Sequence, residues 1–179
     1  MGTADTASNI DLREYIRAVP DFPKEGILFR DITPLLASHE ALGETVRLMA
    51  DRFRGESIDA IVAAEARGFI FAAPLALELK TAFVPVRKPG KLPSETHSYD
   101  YELEYGTDTL EIHVDGVSAG QNVLVLDDLL ATGGTVEACC RLVEKAGANV
   151  VACAFLIELK GLGGAEKIKP REIFSLIEY

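Results

Sequence analysis

From Ile58 onward, hydrophobic and polar positions follow two alternating patterns along the chain. Short uninterrupted apolar runs are typical of buried strands, whereas apolar residues recurring every three or four positions are typical of amphipathic helices. This order predicts two strand-helix-strand units, which comprise Ile61–Ala64, Phe69–Leu79 and Ala82–Val86, and then Val123–Leu126, Thr135–Ala146 and Val150–Ile157. Because strands without polar alternation are covered on both faces, we expect an α/β fold with a parallel sheet flanked by helices.

The segments before and between these two units have a different pattern. Helices are predicted near Asp11–Val19 and Glu40–Phe53, and the prolines and glycine of PDFPKEGILFRDITP prevent one continuous helix. Between the units, a turn-rich stretch leads into two alternating runs, Tyr99–Tyr105 and Thr109–Val114, which are separated by Gly106-Thr107-Asp108. This pattern predicts a mobile loop that runs into a β-hairpin.

Length, composition and charge exclude several classes of function. The 179 residues, 48% of them hydrophobic, suffice for one domain spanning 1–179. The chain has 18 Lys and Arg against 28 Asp and Glu, so its net charge is −10, which disfavours binding to nucleic acid or to an anionic membrane. No apolar run approaches the roughly 18 to 20 residues of a membrane span, and MGTADTASNIDLREYIRAV lacks a basic segment followed by an apolar one. We therefore expect a cytoplasmic protein.

The three cysteines fit a reduced interior better than a disulfide framework or a zinc site. Cys139 and Cys140 are adjacent in an apolar helical pattern, and Cys153 lies inside an apolar run. Their odd number, and the lack of Cys-x-x-Cys or Cys/His ligand spacing, predict core thiols.

The segment after the predicted strand Val123–Leu126 carries the most chemistry. Two adjacent acids, Asp127 and Asp128, precede a loop that opens a helix and consists of Ala131, Thr132, Gly133, Gly134 and Thr135. Ligands of parallel α/β sheets bind at the carboxyl ends of strands. The glycines allow close approach of the backbone, and the hydroxyls add donors beside the free amides of the helix start, so the loop predicts a cradle for a phosphate monoester.

The two acids should face a different part of the ligand from the phosphate, because carboxylates repel phosphate. Vicinal ribose hydroxyls would donate hydrogen bonds to both Asp127 and Asp128. The alternative is an ordinary strand-turn-helix junction in which a Thr caps the helix and an acid lies near its first turn. That alternative explains one Asp and one Thr, but not two acids, two glycines and two threonines within nine residues.

This acid pair and loop resemble the signature of the type I phosphoribosyltransferases for 5-phospho-α-D-ribose 1-diphosphate (PRPP). Further segments are similar, in order and spacing, to the members of that family that act on adenine, namely FPKEGILFRDITPLL, Glu65–Gly68, Arg87–Pro93 and Leu103–Gly106. The resemblance covers nearly the whole chain from about residue 11. It implies a parallel-sheet core, an N-terminal hood over the base at about 1–35 and a mobile active-site loop at about 88–108. The implied reaction is purine salvage, in which the phosphoribosyl group of PRPP is transferred to adenine to give AMP and pyrophosphate.

A diphosphate needs local positive charge in an acidic protein. Basic residues follow two predicted strands, Arg67 after the first and the cluster Arg87, Lys88 and Lys91 after the second, so both strand ends could converge on one anion. Ordinary solvated positions would explain Lys88 and Lys91 equally well. The resemblance implies that Glu65 and Ala66 belong to a loop that binds pyrophosphate through backbone amides and contains a non-proline cis peptide bond.

The resemblance also implies the residues that act on the base and at C1′ of the ribose. Glu104 would stabilise positive charge at C1′ and exchange a proton with the purine, together with Arg67 as the second catalytic residue. Glu102 lies on the same strand face, so the residues themselves do not choose between the two glutamates. Phe29 would stack on adenine while the backbones of Leu28 and Arg30 read its edge, although a core position is the commoner role for a lone Phe.

Three further expectations concern cofactor, assembly and alternatives. Magnesium should be held mainly by substrate oxygens and water, with no direct protein ligand, because no carboxylate cage is visible in the sequence. The resemblance implies a homodimer. Two alternatives stay open, a phosphoribosyltransferase for xanthine or hypoxanthine and a regulator that senses PRPP.

Overall fold

The computed structural model describes residues 10–103 and 106–179, and gives only the backbone of residues 102 and 103. The chain divides into two compact units, with the boundary between Leu48 and Met49. That residues 1–179 form one domain stays a prediction. All helices within the described ranges are too short or too polar to span a membrane.

The first unit combines a β-hairpin with helices. Its elements in order are a 3-10 turn (Leu12–Tyr15), β1 (Arg17–Pro20), β2 (Leu28–Asp31), α1 (Thr33–Ala37) and α2 (His39–Phe53), the last of which crosses the unit boundary. The helix predicted near Glu40–Phe53 is confirmed by α2. The hairpin itself is antiparallel, with Val19 opposite Phe29.

The helix predicted near Asp11–Val19 is wrong beyond a single turn. Asp11 caps that turn by accepting a hydrogen bond from the Arg13 amide at 2.9 Å. The chain then becomes extended at Ile16 (φ −105°, ψ 113°) and pairs with β2. This pairing joins residues about ten positions apart, so the local pattern of the predicted helix does not reveal it.

The second unit is a five-stranded parallel sheet in the order β4-β3-β7-β8-β9 with a separate hairpin, β5-β6. Its elements in order are β3 (Ala60–Ala64), α3 (Gly68–Leu79), β4 (Ala82–Val86), β5 (Thr96–Leu103), β6 (Gly106–His113), β7 (Asn122–Leu130), α4 (Gly134–Lys145), β8 (Asn149–Glu158), a 3-10 turn (Lys160–Leu162), α5 (Gly164–Ile168) and β9 (Glu172–Glu178). The predicted α/β fold class is confirmed.

Helices cover both faces of this sheet. Val62, Val125 and Cys153 pack with the buried residues of α4 in one apolar cluster. Ala63 follows Val62 in β3 and therefore points to the opposite face. There α3 begins so close to the sheet that a Cβ on Gly68 would lie 3.3 Å from the Cβ of Ala63.

The three cysteines are buried free thiols, as predicted. The Sγ atoms of Cys140 and Cys153 lie 3.6 Å apart between α4 and β8. Burial raises the pKa of the Cys139 thiol well above its usual range, so this thiol is protonated at neutral pH.

Two predicted boundaries in the second unit are wrong. The strand predicted at Val123–Leu126 continues to Leu130, because its second half keeps pairing with β8. The hairpin turn predicted at Gly106–Asp108 is wrong, since these residues belong to β6 and Gly106 pairs with Leu103. Most described residues of the loop predicted at 88–108 thus lie in strands, and within the described part of that range residues 88–95 lie outside regular helices and strands. The mobility of that segment stays a prediction.

Candidate active site

The carboxyl ends of three neighbouring strands meet at one edge of the sheet. β3 lies between β4 and β7, with Ala64 opposite Val86 and Ala63 opposite Leu126. The segments at these three ends carry the residues predicted for the PRPP phosphates and ribose, namely Glu65–Arg67, Arg87–Lys91 and Asp127–Thr135. The topology therefore brings the predicted donor-binding segments together, at the edge where ligands of parallel sheets bind.

The predicted phosphate loop borders a cleft of about 220 Å³, which is lined by Arg67 and by Asp127 through Val136. Gly133 adopts a left-handed conformation (φ 81°) immediately before α4 begins at Gly134. No hydrogen bond from a described side chain caps the start of this 12-residue helix. Its first amides are therefore available to an anion in the cleft.

The acid pair lies within the last part of β7 and not, as predicted, after the end of the strand. Asp128 is buried, and its Oδ2 atom lies 2.9 Å from Nε of Arg67. Asp127 Oδ1 accepts a hydrogen bond of 2.9 Å from the amide of Asp128. The two carboxyl groups thus differ in surroundings, because only Asp128 has the guanidinium of Arg67 as an ion-pair partner among the described contacts.

Both acids have raised pKa values. Burial, followed by the neighbouring charge of Asp128, raises the pKa of Asp127 well above its usual range. Burial also raises the pKa of Asp128, against the opposing effect of Arg67. A ligand that donates hydrogen bonds to these carboxylates would favour their ionised form.

Glu65 organises the segment after β4. Its carboxylate accepts a hydrogen bond of 2.6 Å from the Lys88 amide and lies 3.2 Å from Nη2 of Arg87. These contacts, the amide first, hold the pKa of Glu65 below its usual value. The peptide bond between Glu65 and Ala66 is cis, as the resemblance implies. Arg87 in turn donates to the backbone carbonyl of Lys91 at 3.3 Å.

The Lys88 side chain has a partner that sequence reasoning missed. Its ammonium group forms an ion pair with Asp108 of β6. The same Asp108 carboxylate lies 3.3 Å from the hydroxyl of Tyr101 on β5. The sequence offered no signal beyond the placement of Asp108 in a polar turn, because the register of the hairpin decides what this residue faces.

The residues predicted to bind the base lie on β2 in the first unit. Phe29 packs edge-on against Phe22, with ring centroids 5.1 Å apart and an interplanar angle of 74°. Leu28 and Phe22 are half exposed, whereas Phe29 and Arg30 are partly buried. Sequence reasoning named Phe29 but missed Phe22, whose only signal was its place within the FPKEGILF segment.

The predicted catalytic Glu104 lies outside the described residues. Glu102 is part of β5, where its backbone pairs with Thr107. No group of three or more His, Cys, Asp or Glu side chains suited to a metal ion occurs among residues 10–103 and 106–179 with described side chains.

A larger cleft of about 310 Å³ lies at the opposite edge of the sheet. Its lining comes from residues preceding β3 and β4 and mixes both signs of charge, including Arg54, Glu56, Glu78 and Lys80. It has neither an acid pair nor a helix start, and it is at the amino ends of the strands. The smaller cleft beside Asp128 is thus the better candidate despite its size.

Known proteins are similar to this chain over almost its full length. Residues 32–178 match the model of a family described as phosphoribosyl transferase domain. The adenine phosphoribosyltransferase of Rhodopirellula baltica is 60% identical over 171 residues, which are 96% of this chain and 83% of that protein. The enzyme of the same name from Maridesulfovibrio salexigens is 56% identical over 169 residues, or 94% of this chain and 99% of that protein.

Solved structures give the same result for the fold. The crystal structure of adenine phosphoribosyltransferase from Thermoanaerobacter pseudethanolicus superposes with a TM-score of 0.91 at 54% identity, and covers 94% of this chain and 98% of its own. The Saccharomyces cerevisiae enzyme, complexed with an imino-altritol bisphosphate and adenine, gives a TM-score of 0.87 at 40% identity, with 92% and 96% covered.

Proposed function

Because the chain belongs to the adenine phosphoribosyltransferase family, we infer that it transfers the 5-phosphoribosyl group of PRPP to adenine, giving AMP and pyrophosphate in purine salvage. One structural observation supports this inference most strongly. The acid pair, the loop Ala131–Thr135 and the basic residues after β3 and β4 all occupy one edge of the sheet.

We propose that the β7 end binds the ribose 5-phosphate half of PRPP. Asp127 and Asp128 would accept hydrogen bonds from the ribose hydroxyls, and the amides and hydroxyls of Ala131–Thr135 would bind the 5′-phosphate. The cleft of about 220 Å³ supports this division, because the two acids and the loop line it together.

The pyrophosphate group would be bound by the segments after β3 and β4. Arg67, Arg87, Lys88 and Lys91 supply positive charge, and Ala66 supplies a backbone amide. Glu65 acts within this site by holding Arg87 and the Lys88 amide in place. Since the Lys88 ammonium is paired with Asp108, pyrophosphate binding through Lys88 requires it to exchange that partner.

In the reaction, a ring nitrogen of adenine forms a bond to C1′ as the bond from C1′ to the pyrophosphate oxygen breaks. Positive charge grows at C1′, and the adenine ring loses a proton. We propose that Glu104 stabilises this charge and accepts the proton, and that Arg67 stabilises the charge on departing pyrophosphate. On the base, Phe29 would stack on adenine, and the Leu28 and Arg30 backbones would read its edge.

Magnesium is the proposed cofactor. It would neutralise the diphosphate, a need that follows from the net charge of −10. Substrate oxygens and water would supply its ligands, while Asp127 and Asp128 would face the ribose hydroxyls and not the metal.

We also propose a cytoplasmic homodimer. Ile70 and Leu77 lie about two helical turns apart on the same face of α3 and are 38% and 81% exposed, with Ala73 and Pro74 between them. Such an apolar helix face costs free energy in water and would be covered by a second copy of the chain.

A product assay tests the proposed reaction. The protein is incubated with PRPP, adenine and magnesium, and AMP and pyrophosphate are measured separately. We expect equal amounts of both products, and little of either when magnesium or adenine is left out. Pyrophosphate released without AMP would indicate hydrolysis of PRPP and would contradict the proposal.

A further inference from the structure

The glycine-rich segment Gly161-Leu162-Gly163-Gly164 packs against the phosphate loop. A Cβ on Gly164 would overlap with the carbonyl oxygen of Ala131, and it would lie 2.9 Å from Cδ1 of Leu130. From the other side, a Cβ on Gly133 would lie 2.8 Å from the carbonyl oxygen of Gly164. Real Cβ atoms do not approach so closely, so the two backbones are in direct contact and neither position has room for a side chain.

The residues just before this segment are hydrogen-bonded to the ends of neighbouring strands. The Leu159 amide donates a hydrogen bond of 2.9 Å to the Leu130 carbonyl, just before the phosphate loop begins. The Lys160 amide donates to the carbonyl of Tyr179, and the Tyr179 amide donates back to that of Glu158, each at 2.9 Å. These bonds attach Leu159 and Lys160 to the ends of β7, β8 and β9, and the glycine-rich segment that follows lies against Ala131.

We propose that Gly164 is a positioning residue for the 5′-phosphate site. Its backbone sets where Ala131–Gly133 lie, and therefore where the loop amides point. This inference rests on the proposed function, because it takes the loop to bind the 5′-phosphate of PRPP. It goes beyond that function by assigning a role to a residue that need not touch the substrate.

The test compares two glycines of one segment. Gly164→Ala introduces the steric overlap, and its φ is one that alanine can adopt. Gly161→Ala is the matched control, since its added Cβ would have no atom within 4 Å and its φ is also ordinary. Binding of ribose 5-phosphate and of magnesium pyrophosphate is measured by calorimetry, which does not depend on turnover.

We expect Gly164→Ala to weaken ribose 5-phosphate binding about tenfold or more, because loss of one hydrogen bond to a charged phosphate costs about 1.5 kcal/mol or more, which corresponds to that change in affinity. Pyrophosphate binding should stay within about twofold, and the control should change neither. Equal weakening of both ligands would indicate a merely structural role, and no change in either would also overturn the inference. If the wild type bound ribose 5-phosphate but made no AMP, the proposed reaction would fail while this test remained valid.

If Gly164→Ala does not fold, hydrogen exchange of the wild type tests the contact between the two segments instead. Hydrogen exchange is followed with and without ribose 5-phosphate. Because the two backbones touch, we expect slower exchange in residues 160–166 as well as in the loop 131–135. Protection confined to the loop would overturn the inference.

Discussion

The guanidinium of Arg67 lies 2.9 Å from the carboxylate of Asp128, measured from Nε to Oδ2. Arg67 follows β3 and is assigned to pyrophosphate, whereas Asp128 lies in β7 and is assigned to the ribose. The side chain of Asp128 is 5% exposed and that of Arg67 47%. The pair therefore links the two halves of the proposed PRPP site and balances part of the charge of the buried acid.

Asp128→Asn should weaken donor use without destabilising the fold. Loss of a charged hydrogen bond of about 1.5 to 3 kcal/mol predicts a KM for PRPP that is roughly 10- to 100-fold higher. Because burial raises the pKa of Asp128, its ionised form disfavours the folded state at neutral pH, so the variant's Tm should equal or exceed that of the wild type. Asp115→Asn, at an exposed position, is the control. An unchanged KM for PRPP would refute the ribose assignment.

Glu65→Gln should lower stability in a pH-dependent way. The folded-state pKa of Glu65 is depressed, so its contribution is present above the unfolded pKa of about 4.3 and is lost as the pH falls through the folded value. We expect a loss of about 1 kcal/mol in the free energy of unfolding at pH 7, measured by urea denaturation. The difference from the wild type should shrink below about pH 4.

The exposed Glu78→Gln on α3 is the control for this pair of measurements. If Glu65→Gln lowered the free energy of unfolding equally at pH 7 and below about pH 4, the charge of Glu65 would not be the cause of its contribution.

Glu104→Gln should lower kcat about 100-fold or more, because general acid-base groups contribute roughly 10² to 10⁴. The KM for PRPP should change by less than about threefold, since the residue is proposed to act mainly in the transition state. Glu102→Gln is the natural comparison, and it should retain most of the kcat. A larger loss in the Glu102 variant would reverse the assignment, and parallel losses in kcat and donor affinity would mark Glu104 as a binding group.

Leu77→Asp should separate the proposed homodimer into single chains, because a carboxylate on the exposed apolar face of α3 would have to be desolvated in the interface. Light scattering coupled to size exclusion measures the mass. Leu162→Asp, at another exposed leucine (52%), should leave the assembly unchanged. A wild type that is already a single chain, or a Leu77 variant that stays dimeric, would rule out this interface.

The sequence predicts the second unit well because its strands and helices have strong local patterns. Ala82–Val86 is correct to the residue, and α4 differs by one residue at each end. The sequence predicts least where distant pairing decides the structure. The β1-β2 hairpin replaces a predicted helix, β7 continues because β8 runs beside it, and β9 was not predicted.

In the candidate site, too, local sequence predicts some features and distant strand pairing determines the others. The residue types and strand ends were sufficient to predict that Asp127, Asp128 and the loop Ala131–Thr135 lie near the carboxyl end of one strand. The partners of these residues were not predictable, because strand order and hairpin register determine them. Arg67 reaches Asp128 since β3 and β7 are neighbours, and Lys88 meets Asp108 since β6 folds back on β5. Close contact of Gly164 with Ala131 likewise depends on where the ends of β7 and β8 lie.

The choice of base is the most direct test of the proposed reaction. The wild type is given PRPP and magnesium with adenine, hypoxanthine, guanine or xanthine in separate reactions, and kcat/KM for each nucleotide is measured. We predict that AMP forms with a kcat/KM at least about 100-fold above that of any other nucleotide, since a site that hydrogen-bonds a base edge strongly rejects the wrong donor pattern. Formation of another nucleotide in place of AMP, or of no nucleotide from any base, would contradict the assignment.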